Sequence, residues 1–270
     1  MSEPSLLTAL LLGAIEGLTE FFPISSSCHL ILAGHLLGFQ GPLAALFNVV
    51  VQLGAILAIT IHFWPRILQL IPRDWPAIIP RSGQLHGLHL LLGIAPTALV
   101  GGCFYQPIKL LFTPETVLYG LLAGSLLLIS AEWLPIKKSI QPLSMLRYRQ
   151  ALAIGCFQCL ALWPGFSRSG ATIAGAMLVG LERSVAIEFS FLLAVPMMIG
   201  ASGLDLFKQW PGLQPQQIPL LVAGLCSACL LSCLTIRLAL RLLQRVTLLP
   251  FAWYRLLLAA LLYGLLYSGH

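Results

Sequence analysis

The stretch EGLTEFFPISSSCH, from Glu16 to His29, places two carboxylates, a proline, three serines and a histidine inside an otherwise apolar segment. The apolar run that leads into it, LLTALLLGAI, and the short run that follows are each about ten residues long. A helix needs about 20 apolar residues to cross a bilayer. Residues 5–39 therefore predict a re-entrant hairpin, in which a helix enters the membrane, turns at the Pro/Ser loop and returns as a short helix.

The same plan recurs in residues 150–180, which read QALAIGCFQCLALW, then PGFSRSG, then ATIAGAMLVG. A constant shift of 142 residues aligns the two segments without a gap. The shift pairs Gly13 with Gly155, Glu16 with Gln158, Ser25 with Ser167, Ser27 with Ser169 and Gly38 with Gly180. We therefore predict two structural repeats, about 5–134 and about 150–267, within a single integral membrane domain that spans residues 1–270.

The composition supports a polytopic, all-α membrane protein. Hydrophobic residues make up 58% of the 270 residues and charged residues 9%, whereas a soluble domain carries about 25% charged residues. Six full spans plus two helical hairpins give about ten helices. The net charge of +6 then indicates that Lys and Arg are concentrated in cytoplasmic loops, and it does not indicate a nucleic-acid partner. The predicted spans are about 43–63, 85–105, 115–134, 185–203, 218–236 and 249–267.

Each repeat has three full spans after its hairpin, so the second repeat must insert in the opposite orientation. This inverted arrangement brings the broken helices together at mid-membrane. Loops on one predicted side carry Arg66, Arg73, Arg81, Lys137, Lys138, Arg147, Arg149, Arg183, Arg237, Arg241 and Arg245. The other side carries only Lys109 and Lys208. Since basic loops stay in the cytoplasm, we expect both termini outside.

The carboxylates of Glu16 and Glu20 are candidates for chemistry, because ionisable groups at helix depth are costly unless they function. A spacing of four residues puts both on one helix face, about 6 Å apart. Such a pair can share a proton, act as a base or hold a divalent cation such as Mg²⁺ or Ca²⁺. The alternative is a helix face turned to the water of the lipid headgroups.

The serine loop predicts an anion site, because the N–H groups at the start of a helix point at the ligand. Ser25, Ser26 and Ser27 add hydroxyl groups there. His29, one turn into the helix, is a candidate acid or base. The alternative is that a serine only caps the helix, with His29 at an interface.

In the second loop, PGFSRSGAT, Arg168 is the only cation in a long apolar stretch. Its planar fork suits phosphate, and Ser167, Ser169 and Thr172 are candidate donors beside it. Gly170 allows the backbone to approach closely. The alternative is an arginine that extends to the membrane surface. Together the two loops predict cleavage or transport of a phosphate-bearing substrate that resides in the membrane.

Three further charges lie in predicted spans. Arg255 and Glu188 either support the site or lie near an interface, and we expect Glu132, next to Trp133, at the interface.

Five segments of the sequence resemble the undecaprenyl-diphosphate phosphatase family of the bacitracin-resistance type. They are EGLTEFFPISSSCH, QLGAILA, PGFSRSGAT, FSFLLAVP and the late YR. The resemblance implies ten helices with two re-entrant pairs in inverted repeats. It also implies hydrolysis of a polyprenyl diphosphate carrier to the monophosphate, which returns to peptidoglycan synthesis. The site would face the outer side of the bacterial cytoplasmic membrane, among membrane lipids.

The resemblance places the family's acidic pair on Glu16 and Glu20, its proposed serine nucleophile on Ser26 and its histidine on His29. The phosphate-binding arginine falls on Arg168, flanked by Ser167, Ser169 and Thr172. Two positions depart from the family pattern: Cys28 stands where glycine is usual, and Asn48 where an acidic residue is usual.

Several alternatives stay open at this point. The attacking group is Ser26 or a water, and a lipid transporter or flippase would use similar broken helices. The departures at Cys28 and Asn48 are compatible with a weakened paralogue. Lipid chain length, metal identity and oligomeric state are not readable from the sequence.

Overall fold

A computed structural model of the chain describes residues 5–70, 85–136 and 141–267. Within these residues the fold is built from eleven α-helices and short 3-10 turns, which confirms the predicted all-α class. The helices are α1 Leu6–Thr19, α2 Ser26–Leu36, α3 Pro42–Leu70, α4 Gly87–Cys103, α5 Tyr105–Leu110, α6 Pro114–Trp133, α7 Tyr148–Gln158, α8 Arg168–Leu178, α9 Arg183–Gln209, α10 Ile218–Arg245 and α11 Leu249–Tyr267.

Five helical segments are long and apolar enough to cross a membrane, so the chain is an integral membrane protein. They are Pro42–Leu70, Pro114–Trp133, Arg183–Gln209, Pro215–Arg245 and Leu249–Tyr267. The sixth predicted span, 85–105, is the 17-residue helix α4, which falls short of that length. It ends after Gly101 and Gly102, which are weak helix formers, and Phe104 leaves the helical conformation. The short helix α5, which the sequence did not predict, follows at once.

The two predicted short helices, α2 and α8, are each 11 residues long. Ser25 and Ser167 precede them with φ angles of 69° and 74°, and each side chain accepts a hydrogen bond from the third amide along the chain. Positive φ is uncommon for residues other than glycine, so its recurrence 142 residues later shows that the two loops share one local conformation. The inverted order of the two repeats stays a prediction.

Each hairpin packs against a helix from the other half of the chain: α1 against α10, and α7 against α4. Glycines allow the close approach, as in other helix contacts in membranes. A Cβ at Gly13 would overlap the carbonyl of Gly224, and a Cβ at Gly155 would overlap the carbonyl of Gly93. Helices α3 and α9 pack together, as do α6 and α11, and the two loops are thereby brought into contact.

Glu132 and Glu188, two carboxylates of the predicted spans, form ion pairs. Glu132, predicted at the interface, accepts hydrogen bonds from Arg183 and from the amide of Leu248, and only 8% of its side chain is exposed. Glu188 pairs with Arg66 at 3.1 Å. The predicted loop charges Arg73, Arg81, Lys137 and Lys138 lie outside the described residues.

Candidate active site

The two loops meet through a hydrogen-bonded ion pair. Arg168, the first residue of α8, donates from Nη2 to Oε1 of Glu20, the residue after α1, at 2.9 Å. Alongside, the hydroxyl of Ser169 donates to the carbonyl of Phe22 at 3.1 Å. Both charged side chains are largely buried, with 14% of Arg168 and 7% of Glu20 exposed, so each neutralises the charge of the other.

The other oxygen of Glu20 holds the serine of the first loop. Ser26 Oγ donates to Glu20 Oε2 at 2.5 Å, and Ser26 is the first residue of α2. A hydroxyl with its proton directed at a carboxylate is the arrangement of a nucleophile beside its base. Of the three loop serines, Ser26 is the one that bonds to a carboxylate, because Ser25 and Ser27 bond to each other at 3.1 Å.

Glu16 lies one turn before Glu20 and is buried. Its Oε1 has no hydrogen-bond partner among the described residues. An unpartnered carboxylate oxygen beside a second carboxylate suits a hard cation, and Mg²⁺ typically takes one or two carboxylates plus the oxygens of a bound phosphate. The described part of the chain contains no cluster of three or more His, Cys, Asp or Glu side chains that could hold a metal, so the substrate would have to complete the coordination.

Arg168 retains donors after its bond to Glu20. Its Nε and Nη1 are buried and have no hydrogen-bond partner in the regions that the structure describes. Unpartnered N–H groups on a buried guanidinium are costly, and the oxygens of a phosphate are strong acceptors for them. The arrangement therefore fits an anion that reaches the site from outside the protein.

These groups line one cavity of about 730 Å³. Its polar end holds the two glutamates, the three serines of the first loop, Ser167 and Arg168. Leucines and isoleucine of α2 and α11 form an apolar wall, which consists of Leu30, Ile31, Leu32, Leu262, Leu265 and Leu266. Asn48, Gln52, Lys109 and Asp205 are further polar residues of the lining. A charged end next to an apolar wall fits a lipid with a phosphate headgroup.

Four predicted site residues do not line this cavity. Ser169 bonds to Phe22, and Thr172 bonds to the carbonyl of Arg168 and to Ser190. The amide of Gly170 donates to Ser167 Oγ. These three residues therefore hold the second loop in place.

The fourth residue, His29, is turned away from the cavity: Nδ1 lies 2.8 Å from the carbonyl of Ser25, and Nε2 lies 2.7 Å from the hydroxyl of Tyr254.

Arg255 of α11 links the two loops, a role that the sequence did not reveal. Its side chain is fully buried, and it donates to five backbone carbonyls, of which Phe166 is the nearest at 2.7 Å. The others belong to Pro23, Gly120, Leu121 and Gly165. The sequence signals were a lone cation in an apolar helix and the YR segment of the family resemblance. A cation in a span indicates a functional or structural role, but the sequence does not show which groups it contacts.

The sequence model of one family, described as bacitracin resistance protein BacA, matches residues 9–261 of this chain. The chain belongs to the BacA family. This is the undecaprenyl-diphosphatase family that the five sequence segments resembled, and the match extends over both loops and Arg255. Members of this family act on a lipid diphosphate in membranes.

The two departures from the BacA family pattern lie in different surroundings. Cys28 is fully buried and packs in an apolar cluster with Val117 and Leu121, and it does not itself line the cavity. Asn48 does line the cavity. Of the two, Asn48 therefore bears directly on the chemistry of the site, since the chain has an amide where the resemblance leads us to expect a carboxylate.

Proposed function

We propose that this protein is an undecaprenyl-diphosphate phosphatase, which hydrolyses the lipid carrier diphosphate to the monophosphate and phosphate. The observation that carries the proposal is the chain of contacts from Ser26 through Glu20 to Arg168 at the polar end of a cavity with an apolar wall. A hydroxyl, a carboxylate and a guanidinium with unpartnered donors are the groups that phosphoryl transfer needs, and membership of the BacA family supports the substrate class.

Substrate binding begins at Arg168. Its Nε and Nη1, unpartnered among the described residues, donate to oxygens of the diphosphate and stabilise the charge that spreads over the transferring phosphoryl group. The polyprenyl chain lies along the apolar wall formed by α2 and α11. Ser25, Ser27 and Ser167 line the same space and are the remaining candidates for contact with the phosphates.

In the covalent route, Ser26 Oγ attacks the terminal phosphorus and gives its proton to Glu20 Oε2. The new Oγ–P bond forms as the bond from phosphorus to the bridging oxygen breaks, and the polyprenyl monophosphate leaves. Glu20 passes this proton to the departing monophosphate and is ionised again. Water then hydrolyses the phosphoserine: its proton goes to Glu20 and on to Ser26 Oγ as the Oγ–P bond breaks and phosphate leaves. In the alternative route, water attacks phosphorus directly and Ser26 orients it. Glu20 is the acceptor in both routes, because its carboxylate touches Ser26 whereas His29 does not.

Glu16 and Glu20 are the residues that would hold a divalent cation, Mg²⁺ or Ca²⁺, together with the phosphate oxygens. Such an ion neutralises charge on the diphosphate when it is bound. Glu16 Oε1, which has no partner among the described residues, is the oxygen free to bind it. Asn48 would add a neutral amide to this wall.

The membrane of residence in this proposal is the bacterial cytoplasmic membrane. Both termini and the mouth of the cavity face outward, and the monophosphate re-enters peptidoglycan synthesis. Removal of the diphosphate form accounts for bacitracin resistance in this scheme.

Transport of a polyprenyl phosphate is the second candidate, since two broken-helix loops that meet are a common plan of transporters. Release of phosphate in detergent separates the two, because transport requires a bilayer and releases none. The test is phosphate release from a long-chain polyprenyl diphosphate by purified protein, with and without a chelator, beside the Glu20→Gln variant. We expect release that the variant loses. Absence of release from the wild type under every cation condition would contradict the phosphatase.

A further inference from the structure

Both ring nitrogens of His29 are engaged. Nδ1 lies 2.8 Å from the carbonyl oxygen of Ser25, and Nε2 lies 2.7 Å from the hydroxyl of Tyr254. A carbonyl can only accept, so Nδ1 carries the proton and Nε2 accepts from the tyrosine hydroxyl. The two rings are also stacked, 3° from parallel with centroids 5.7 Å apart. The Ser25 carbonyl therefore sets the tautomer of His29, and the contacts with Tyr254 fix the orientation of its ring.

The carbonyl that His29 binds belongs to Ser25, which has an unusual backbone conformation. Ser25 has a φ of 69°, a conformation that persists in residues other than glycine only where the surroundings hold it. The peptide plane that contains the Ser25 carbonyl also contains the amide of Ser26. A ring that fixes this carbonyl therefore fixes the direction in which Ser26 leaves the loop toward Glu20.

The second loop, which has the same conformation at Ser167, is held in another way. The residue that matches His29 at the shift of 142 is Ala171, which has no donor. There Arg255 donates to the carbonyls of Gly165 and Phe166. Adjacent residues of α11 thus contact the two loops: Arg255 donates to the second loop and to the Pro23 carbonyl of the first, and Tyr254 contacts the first through His29.

We propose that Tyr254 is a positioning residue of the site, which acts through His29 to fix the Ser25–Ser26 peptide so that the Ser26 hydroxyl meets Glu20. The inference rests on the proposed phosphatase function for its kinetic consequences. It assigns His29 a structural proton on Nδ1 and no proton transfer at phosphorus.

Two substitutions at His29 separate positioning from proton transfer. In His29→Asn the amide nitrogen occupies the place of Nδ1 and can still donate to the Ser25 carbonyl. In His29→Gln the side-chain oxygen can reach Tyr254, but the donor to Ser25 is lost. We expect kcat to fall only about threefold in His29→Asn and about a hundredfold in His29→Gln, with KM nearly constant. Equal losses of about a hundredfold in both variants would mean that the imidazole itself transfers a proton, and would overturn the proposal.

Tyr254→Phe removes a single hydroxyl. We expect it to lower kcat about tenfold in the wild-type background and to have no further effect in His29→Asn, which no longer accepts from the hydroxyl. The control is Tyr263→Phe, an exposed tyrosine of the same helix, which should leave kcat unchanged. A full tenfold loss from Tyr254→Phe in the His29→Asn background, or no loss in the wild type, would contradict the link. The shape of the pH–rate profile should be the same in His29→Asn and the wild type.

A measurement that needs no activity keeps this inference apart from the proposed function. In protein labelled with ¹⁵N-histidine, the ring signals absent from His29→Asn belong to His29. We expect them to report a proton on Nδ1, and the Nε2 signal to shift in Tyr254→Phe. If the wild type releases no phosphate, the phosphatase proposal fails while this assay still tests the contact. A proton on Nε2 in the wild type would overturn the inference whatever the activity.

Discussion

Arg168 and Glu20 lie 148 residues apart in the chain and 2.9 Å apart in space. Each is the counter-ion of the other in a largely buried setting, where an unpaired charge would cost several kcal/mol. The pair leaves one carboxylate oxygen for Ser26 and two guanidinium nitrogens without a partner among the described residues. It thereby joins the two loops and leaves both side chains competent to act on a phosphate.

Arg168→Lys should reduce turnover by about 10² or more while the protein still inserts and folds. The ammonium can keep the ion pair with Glu20, but it lacks the planar fork whose donors are needed for the diphosphate. The measurement is kcat for phosphate release from a polyprenyl diphosphate in detergent. Arg66→Lys, which changes an exposed partner of Glu188, is the matched control. Turnover near the wild-type value in Arg168→Lys would show that this arginine is not the phosphate clamp.

Ser26→Ala separates serine attack from water attack. If Ser26 is the nucleophile, the variant should be inactive and the wild type should carry labelled phosphate during a single turnover that is quenched early. Loss of a hydroxyl that only orients water costs about 10²–10³ in rate, so measurable turnover would survive. Ser27→Ala is the control, because Ser27 lines the same cavity and bonds only to Ser25 among the side chains described. Residual turnover in Ser26→Ala, with no label trapped on the wild type, would rule out the covalent route.

Glu16→Gln and Glu20→Gln should fail in different ways. Glu16 has an oxygen without a partner among the described residues. Glu16→Gln should therefore raise the divalent-cation concentration needed for half-maximal turnover and leave kcat at saturating cation unchanged. Glu20 contacts both Ser26 and Arg168, so its amide should lower kcat by about 10² or more at every cation concentration. Cation titrations of both variants, after treatment with a chelator, check this. Identical titration midpoints in Glu16→Gln and the wild type would remove Glu16 from the cation site.

The sequence predicted much of this arrangement because the relevant signals are local. Apolar run lengths, Pro23 and Pro164, and the repeated serines mark two short hairpins wherever the rest of the chain packs. Spacing also put Glu16 and Glu20 on one face of a helix. The same reasoning drew attention to Arg168 and to the serine loop as a whole, whereas only the family resemblance singled out Ser26 among the three serines.

Contacts between distant segments were beyond such reasoning. His29 lies on a helix start beside three serines, but whether its ring faces Ser26 or α11 depends on where Tyr254 lies, 225 residues later. Ser169 and Thr172 were predicted as phosphate donors because hydroxyl groups suit that task, yet Phe22 and Ser190 occupy them. Arg255 was recognised as a costly charge, but its five carbonyl partners belong to three separate segments.

The orientation of the chain across the membrane is a prediction that can be tested only in a bilayer. The charge of the loops predicts that the segment that contains Met145 lies inside and the segment that contains Gln216 outside. Both residues are exposed in the structure. In a background without the seven native cysteines, Gln216→Cys should react with an impermeant maleimide added to intact spheroplasts, and Met145→Cys should react only after permeabilisation. Reaction of Met145→Cys from the outside would reverse the assigned orientation.

Two glycines of α6 show that substitutions outside the reactive groups can also disrupt this protein. A methyl group at Gly120 would overlap the carbonyl of Pro164, and one at Gly124 would overlap the guanidinium of Arg255. Neither glycine lines the cavity, yet neither position has room for the smallest side chain. Drift in natural populations should therefore be slow along this face of α6, and strains that lose the function need not carry a lesion in either loop. A diagnostic test that sequenced only the reactive residues would misjudge such strains.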